Sequence, residues 1–156
     1  MVYEYDSIYP FLSDIFIKQI FRLSHMSIKF ASATSLKKGS YIIIDGEPCR
    51  VSSVATSKPG KHGAAKSRVE GSGIIDDKKR TLLVPGGDEV EVPIIEKKNA
   101  QVLSITGNTA SLMDSETFET LELEIPEEMQ GQIAEGNTVV YWHVMHYKIL
   151  KQLKNE

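Results

Sequence analysis

Tyr41-Ile-Ile-Ile-Asp45, Gly46-Glu-Pro48 and Cys49-Arg-Val-Ser-Ser-Val-Ala-Thr56 follow one another without interruption. β-Branched residues crowd the two outer pieces, and the glycine and proline between them mark a turn. The stretch therefore reads strand, turn, strand. Upstream, Leu36-Lys-Lys-Gly-Ser40 is a turn, and β character begins there. Downstream, past a loop at 57–64, the same grammar continues. Strands are expected over Ala65–Ile75, Arg80–Val84 and Glu89–Ile95, with turns at Asp76-Asp77 and Pro85-Gly-Gly-Asp88. Short strands at close spacing, divided by Gly, Pro and Asp, predict a small barrel or sandwich.

The second half repeats the style. Ala100–Thr106 and Thr109–Asp114 flank a Gly107-Asn108 turn. Phe118–Ile125 alternates between two faces, as a half-buried strand does. Pro126–Gln132 suits a short helical turn, and Thr138–Leu150 reads as one or two final strands. Five strands in so short a span fit an OB-type barrel. Pro93 lacks a donor N–H and sits poorly in a central strand, so Val92–Lys98 is the expected crossing between two units. The fold class is all-β, an N-terminal barrel followed by a second one. The expected division is an N-terminal extension at 1–26, a first domain at 27–93 and a second at 94–156.

Charge divides along the same line. Residues 27–95 hold eleven Lys/Arg against eight Asp/Glu, and residues 96–156 hold five against ten. A basic unit followed by an acidic one suggests different tasks, and only the first suits a polyanion. The single cysteine, Cys49, excludes an internal disulfide and a cysteine-built zinc site. It lies among strand residues and reads as a small buried hydrophobe. The lack of disulfides fits a reducing cytoplasm, which is the expected location.

Residues 1–25 differ from everything after them. Ile8, Phe11, Leu12, Ile15, Phe16, Ile20 and Leu23 recur at helical spacing, but Asp14, Lys18 and Arg22 interrupt the apolar run. This pattern is neither a signal peptide nor a bilayer span. It is either an amphipathic helix or an extension ahead of a second plausible start at Met26. No membrane partner is expected.

The most unusual stretch is Ser57-Lys-Pro-Gly-Lys-His-Gly-Ala-Ala-Lys66. Pro59-Gly60 sets one turn and Gly63 allows a second reversal, so Lys61 and His62 are left at the tip. Lys58, Lys66 and Arg68 surround them with like charge. Crowded cations on an exposed tip do nothing for stability, whereas they suit phosphate binding by displacing counterions. A phosphate-binding P-loop is excluded by the residue order. The chain's other histidines, His25, His143 and His146, lie far from His62, so no metal site is expected. His143 and His146 read as one core-facing and one exposed ring.

At this loop the sequence resembles the translation factor 5A family, the hypusine-containing proteins of archaea and eukaryotes, in its archaeal form. Ser57–Gly63 with Ala65-Lys66 carries the resemblance most specifically. Leu36–Tyr41, Asp45–Arg50, Val90–Ile95, Leu112–Asp114 and Glu119–Glu122 extend it, so it covers roughly residues 32–153 in order. Residues 1–25 depart from the family pattern.

The resemblance implies an SH3-like N-terminal barrel and an OB-fold C-terminal barrel. It implies that Lys61 receives a 4-aminobutyl group from spermidine through deoxyhypusine synthase, ending as deoxyhypusine or hypusine. No other cofactor is implied. The implied partner is the ribosome, with rRNA and the acceptor end of the P-site peptidyl-tRNA, where peptide-bond formation at stalled sites such as proline runs is assisted. Ser57, Lys58, Pro59, Gly60, His62, Gly63, Lys66 and Arg68 are the residues expected to touch RNA or the modifying enzyme. The factor is not itself expected to be an enzyme, and its oligomeric state is left as monomer or weak dimer. Two other readings of the residues stand beside this one: a non-catalytic OB-fold RNA chaperone, and an enzyme with Lys61 as a Schiff-base nucleophile.

Overall fold

The computed structural model describes residues 27–58 and 60–154. The expectations for residues 1–26 and for Pro59 lie outside them. Eleven strands are described, with two short 3-10 turns at Ala33–Ser35 and Glu127–Met129. They are β1 (Ile28–Ser32), β2 (Tyr41–Ile44), β3 (Glu47–Ser57), β4 (Lys66–Gly73), β5 (Lys79–Pro85) and β6 (Glu89–Pro93), then β7 (Ile95–Thr106), β8 (Thr109–Asp114), β9 (Thr120–Glu124), β10 (Thr138–Val144) and β11 (Tyr147–Leu153). No helix among the described residues is long and apolar enough to cross a membrane.

The all-β expectation holds, as an SH3-like barrel followed by an OB-type barrel. In the first barrel β2-β3-β4-β5 form one antiparallel sheet and β1-β6 a second. Ile42, Ile44, Cys49, Val51, Val69 and Val84 of the first sheet meet Val90 and Val92 of the second in one core. Cys49 is completely buried there, as its neighbours predicted, and burial pushes its thiol pKa up. In the second barrel the order is β11-β10-β7-β8-β9, and the edge strands β9 and β11 approach each other to close the sheet. Its core is separate and includes Val102, Leu112, Ile125, Met129, Val139, Tyr141 and Leu150. The alternation expected around Leu121–Ile125 is present, with Leu123 and Ile125 buried and Glu122 and Glu124 exposed.

Several boundaries differ from the sequence reading, each for a local reason. The first hairpin turns at Asp45-Gly46, where both residues take positive φ (54° and 78°), and the strand resumes at Glu47. Such a two-residue turn matches strand twist and needs this conformation twice, which Asp-Gly supplies. Pro48 therefore sits inside β3. Its missing N–H is harmless because the pairing of β3 with β4 begins only at Cys49. β1 was not anticipated; it pairs with β6 from Ile28 opposite Pro93 to Ser32 opposite Glu89. β7 begins at Ile95, not Ala100, because its polar start is paired with β10 from Gln101 opposite Thr138 to Ile95 opposite Val144. Phe118 is not in a strand. It lies in a turn with φ +59°.

Candidate functional site

β3 is eleven residues long, and only its first part belongs to the core. Pro48, Cys49 and Val51 are buried, whereas Ser52, Ser53 and Ala55–Lys58 are exposed. The strand nevertheless stays paired with β4 as far as Ser57 opposite Lys66. Val54 still packs on the core, and the rows Val54–Val69 and Thr56–Ser67–Val84 carry buried residues on the neighbouring strands, so the hairpin projects only from Ser57 onward. A register shift between Val51 and Ser53 interrupts the pairing of β3 with β4, as a bulge does when it bends a strand. The stem is tied internally: Thr56 Oγ1 and the buried Ser67 Oγ are 3.2 Å apart, and Ser57 Oγ donates to the Lys66 carbonyl at 3.5 Å.

The chain turns through Gly60, Lys61 and His62. Gly60 has φ +48°, a left-handed conformation that side chains disfavour, so glycine there is what lets the tip close. Lys58, Gly60, Lys61, His62, Gly63 and Ala64 are all exposed. Lys58, Lys61 and Lys66 make no ion pair among the described residues. Arg68 does: its guanidinium lies 3.0 Å from the Glu70 carboxylate. The expected cluster thus divides into free lysines at the tip and stem end and a half-neutralised arginine below. Ser57 and Lys66 form one row across the hairpin and Ala55 and Arg68 another, so Lys66 and Arg68 point to the same face.

Sequence reasoning missed two features of this region. Leu83 of β5 stands opposite Arg68 and is 68% exposed, an aliphatic side chain beside the cation. Its neighbours in sequence gave no sign of which face it would take. The turn between β5 and β6 also touches the loop: the Gly86 N–H donates to the Ala65 carbonyl. That contact joins residues remote in sequence, and only the pairing of Lys66 with Pro85 creates it.

The other histidines are not brought to the loop. His146 is exposed and stacks on Tyr147 with ring centres 3.9 Å apart, and His143 is half-exposed, 3.4 Å from Glu96. Neither faces the core, contrary to the expectation for one of them. His143 precedes the buried Val144 on β10 and so takes the opposite face of the strand, and His146 lies in the β10–β11 turn. Among the described residues no group of three His, Cys, Asp or Glu is placed to hold a metal ion.

This geometry is an exposed basic hairpin tip. Comparison with known proteins agrees with the sequence resemblance. Residues 27–87 match the family described as Translation initiation factor 5A-like, N-terminal. The Translation initiation factor 5A of Archaeoglobus fulgidus is 51% identical over 106 residues, which cover 68% of this chain and 83% of that protein. The protein of the same name from Methanocella arvoryzae is 54% identical over 111 residues, 71% of this chain and 87% of its own. Among solved structures, eukaryotic translation initiation factor 5A from Methanococcus jannaschii superposes with a TM-score of 0.76 at 41% identity, covering 82% of this chain and 96% of that one. The chain belongs to the translation initiation factor 5A family and is a translation factor.

Proposed function

We propose that Lys61 is the acceptor of a 4-aminobutyl group and that the lengthened side chain is the working part of the molecule. The observation that carries this reading is the position of Lys61: exposed, in a glycine-bounded turn, at the tip of the paired β3–β4 hairpin. In net terms Lys61 Nζ gains a bond to the butyl carbon of spermidine, the bond from that carbon to spermidine's secondary nitrogen is lost, and the proton given up by Nζ ends on the departing amine. The rest of spermidine leaves as 1,3-diaminopropane, and deoxyhypusine synthase is the enzyme that performs the step. The product has a longer reach and a second amine, so more positive charge stands farther from the protein.

On the ribosome such a finger suits a narrow, phosphate-rich cavity beside the P site, with its tip against the acceptor end of the peptidyl-tRNA. Help to peptide-bond formation at stalled sequences, notably runs of proline, then comes from positioning the tRNA end. The protein contributes no acid or base of its own. Lys58, His62 and Lys66 stand where backbone phosphates or the modifying enzyme meet the loop, and Arg68 serves more weakly because Glu70 already engages it. The factor acts in the cytoplasm.

Lys61→Arg tests this reading. Arginine keeps the charge and the exposed position, so the fold is expected to be unchanged, but it cannot accept the aminobutyl group. Cells relying on this variant are expected to lose synthesis of proline-run proteins. Normal synthesis with Lys61→Arg contradicts the proposal.

A further inference from the structure

The lysine loop is braced from outside its own hairpin. Its C-terminal arm, Gly63–Ala65, has no regular structure before β4 begins at Lys66. The turn Pro85–Asp88 lies directly against that arm, where the Gly86 N–H donates to the Ala65 carbonyl. An ideal Cβ placed on Gly86 meets the Ala65 carbonyl oxygen at 2.5 Å, its carbonyl carbon at 3.1 Å and its Cβ at 3.0 Å. Two of these three atoms are backbone, so no side-chain rotation relieves the overlap. The φ of Gly86 is not in the left-handed region, unlike that of its neighbour Gly87 (φ +94°). Glycine at 86 is therefore required by the adjacent loop rather than by its own backbone conformation.

The supporting turn is itself anchored. The Asp88 N–H donates to the Pro85 carbonyl at 3.2 Å, and the Asp88 carbonyl accepts from the N–H of Ala33, also at 3.2 Å. Ala33 is 1% exposed and belongs to the first core. A continuous path runs from the core through Asp88 and Gly86 to Ala65, four residues from Lys61.

We infer that Gly86 is a positioning residue for Lys61, holding the C-terminal arm of the loop so that the lysine is presented in one place. The inference rests on the reading of Lys61 as the modified residue. Alanine at 86 pushes the arm away from the turn and leaves the barrel core untouched. A displacement of this size at a group that must enter another active site lowers transfer strongly, since misplacement by about 1 Å can cost ~100-fold.

The test compares wild type with Gly86→Ala in three measurements: aminobutyl transfer to Lys61 by deoxyhypusine synthase with spermidine, trypsin cleavage after Lys61, and the thermal midpoint. The expected result is a loss of roughly tenfold or more in kcat/KM for transfer. Cleavage is expected to be faster, with the thermal midpoint close to that of wild type. Unchanged transfer and unchanged cleavage overturn the inference. Amide hydrogen exchange on wild type supplies an answer even if the variant does not fold: the Gly86 amide is expected to be protected although the residue is exposed, and rapid exchange there overturns the brace. If wild-type Lys61 accepts no aminobutyl group, the proposed function fails, while cleavage and exchange still judge Gly86.

Discussion

At the scale of single residues, Lys61 and Asp114 stand at opposite extremes of burial. Lys61 and its neighbours make no packing contact that would explain them, whereas Asp114 is a polar residue held deep inside for structural reasons. It is 1% exposed, and its Oδ1 accepts from the N–H groups of Glu116 and Thr117, each at 2.8 Å. Its Oδ2 accepts from the Tyr141 hydroxyl at 2.5 Å. Burial opposes the charged carboxylate, but the Tyr141 hydroxyl and the two backbone N–H groups outweigh it and hold the pKa at about 2, below the ordinary 3.8. A carboxyl with a depressed pKa stabilises the fold fully above its unfolded value, and the contribution is lost as pH falls through the folded value. Tyr141→Phe is therefore expected to cost about 1–3 kcal/mol at pH 7. The gap from wild type is expected to narrow as pH falls from 3.8 towards 2, which denaturant titrations across that range will show. A gap that does not change with pH would mean the loss came from packing alone.

At the scale of elements, what was legible in the sequence was whatever is local. The 57–66 loop was legible because glycines bound it and because cations on an exposed tip have no structural use. Most strands were legible through β-branched runs between Gly, Pro and Asp turns. Ile28–Ser32 was not, since five residues with Lys29 and Phe30 exposed carry too little pattern, and pairing with the distant β6 makes them a strand. The exposed Phe118 has a side chain that suits a strand. Asp114 overrides that preference by accepting the Phe118 N–H at its own carbonyl, 3.0 Å away, and fixing the turn. The brace on the lysine loop was illegible for the same reason as β1, because Ala65 and Gly86 meet only after β4 and β5 pair. For β1 and the brace, non-local pairing is what the sequence concealed; for Phe118 it was a local turn.

At the scale of the whole molecule, polar and aromatic contacts join the two barrels. The Tyr147 hydroxyl of β11 donates to the Glu47 carboxylate at 2.9 and 3.1 Å across the joint, and that carboxylate raises the phenol's pKa. Nearby, Tyr41 of the first barrel meets Trp142 of the second edge to face at 5.9 Å. The Lys97 and Lys151 ammonium groups lie 5.5 and 5.1 Å from the Trp142 ring. Only Ile94 separates β6 from β7. Tyr147→Phe is expected to leave both cores folded but to loosen their mutual orientation, seen as more independent tumbling of the barrels in NMR relaxation. Unchanged tumbling would locate the restraint in the Tyr41–Trp142 contact instead.

The central claim, that Lys61 is the acceptor of the working group rather than the group itself, is tested most directly by mass. Protein purified from its own cells is measured intact and then as fragments. The account predicts an increment of one aminobutyl group, with or without one added oxygen, confined to the fragment that contains Lys61. Fully functional protein from those cells with Lys61 unmodified contradicts it.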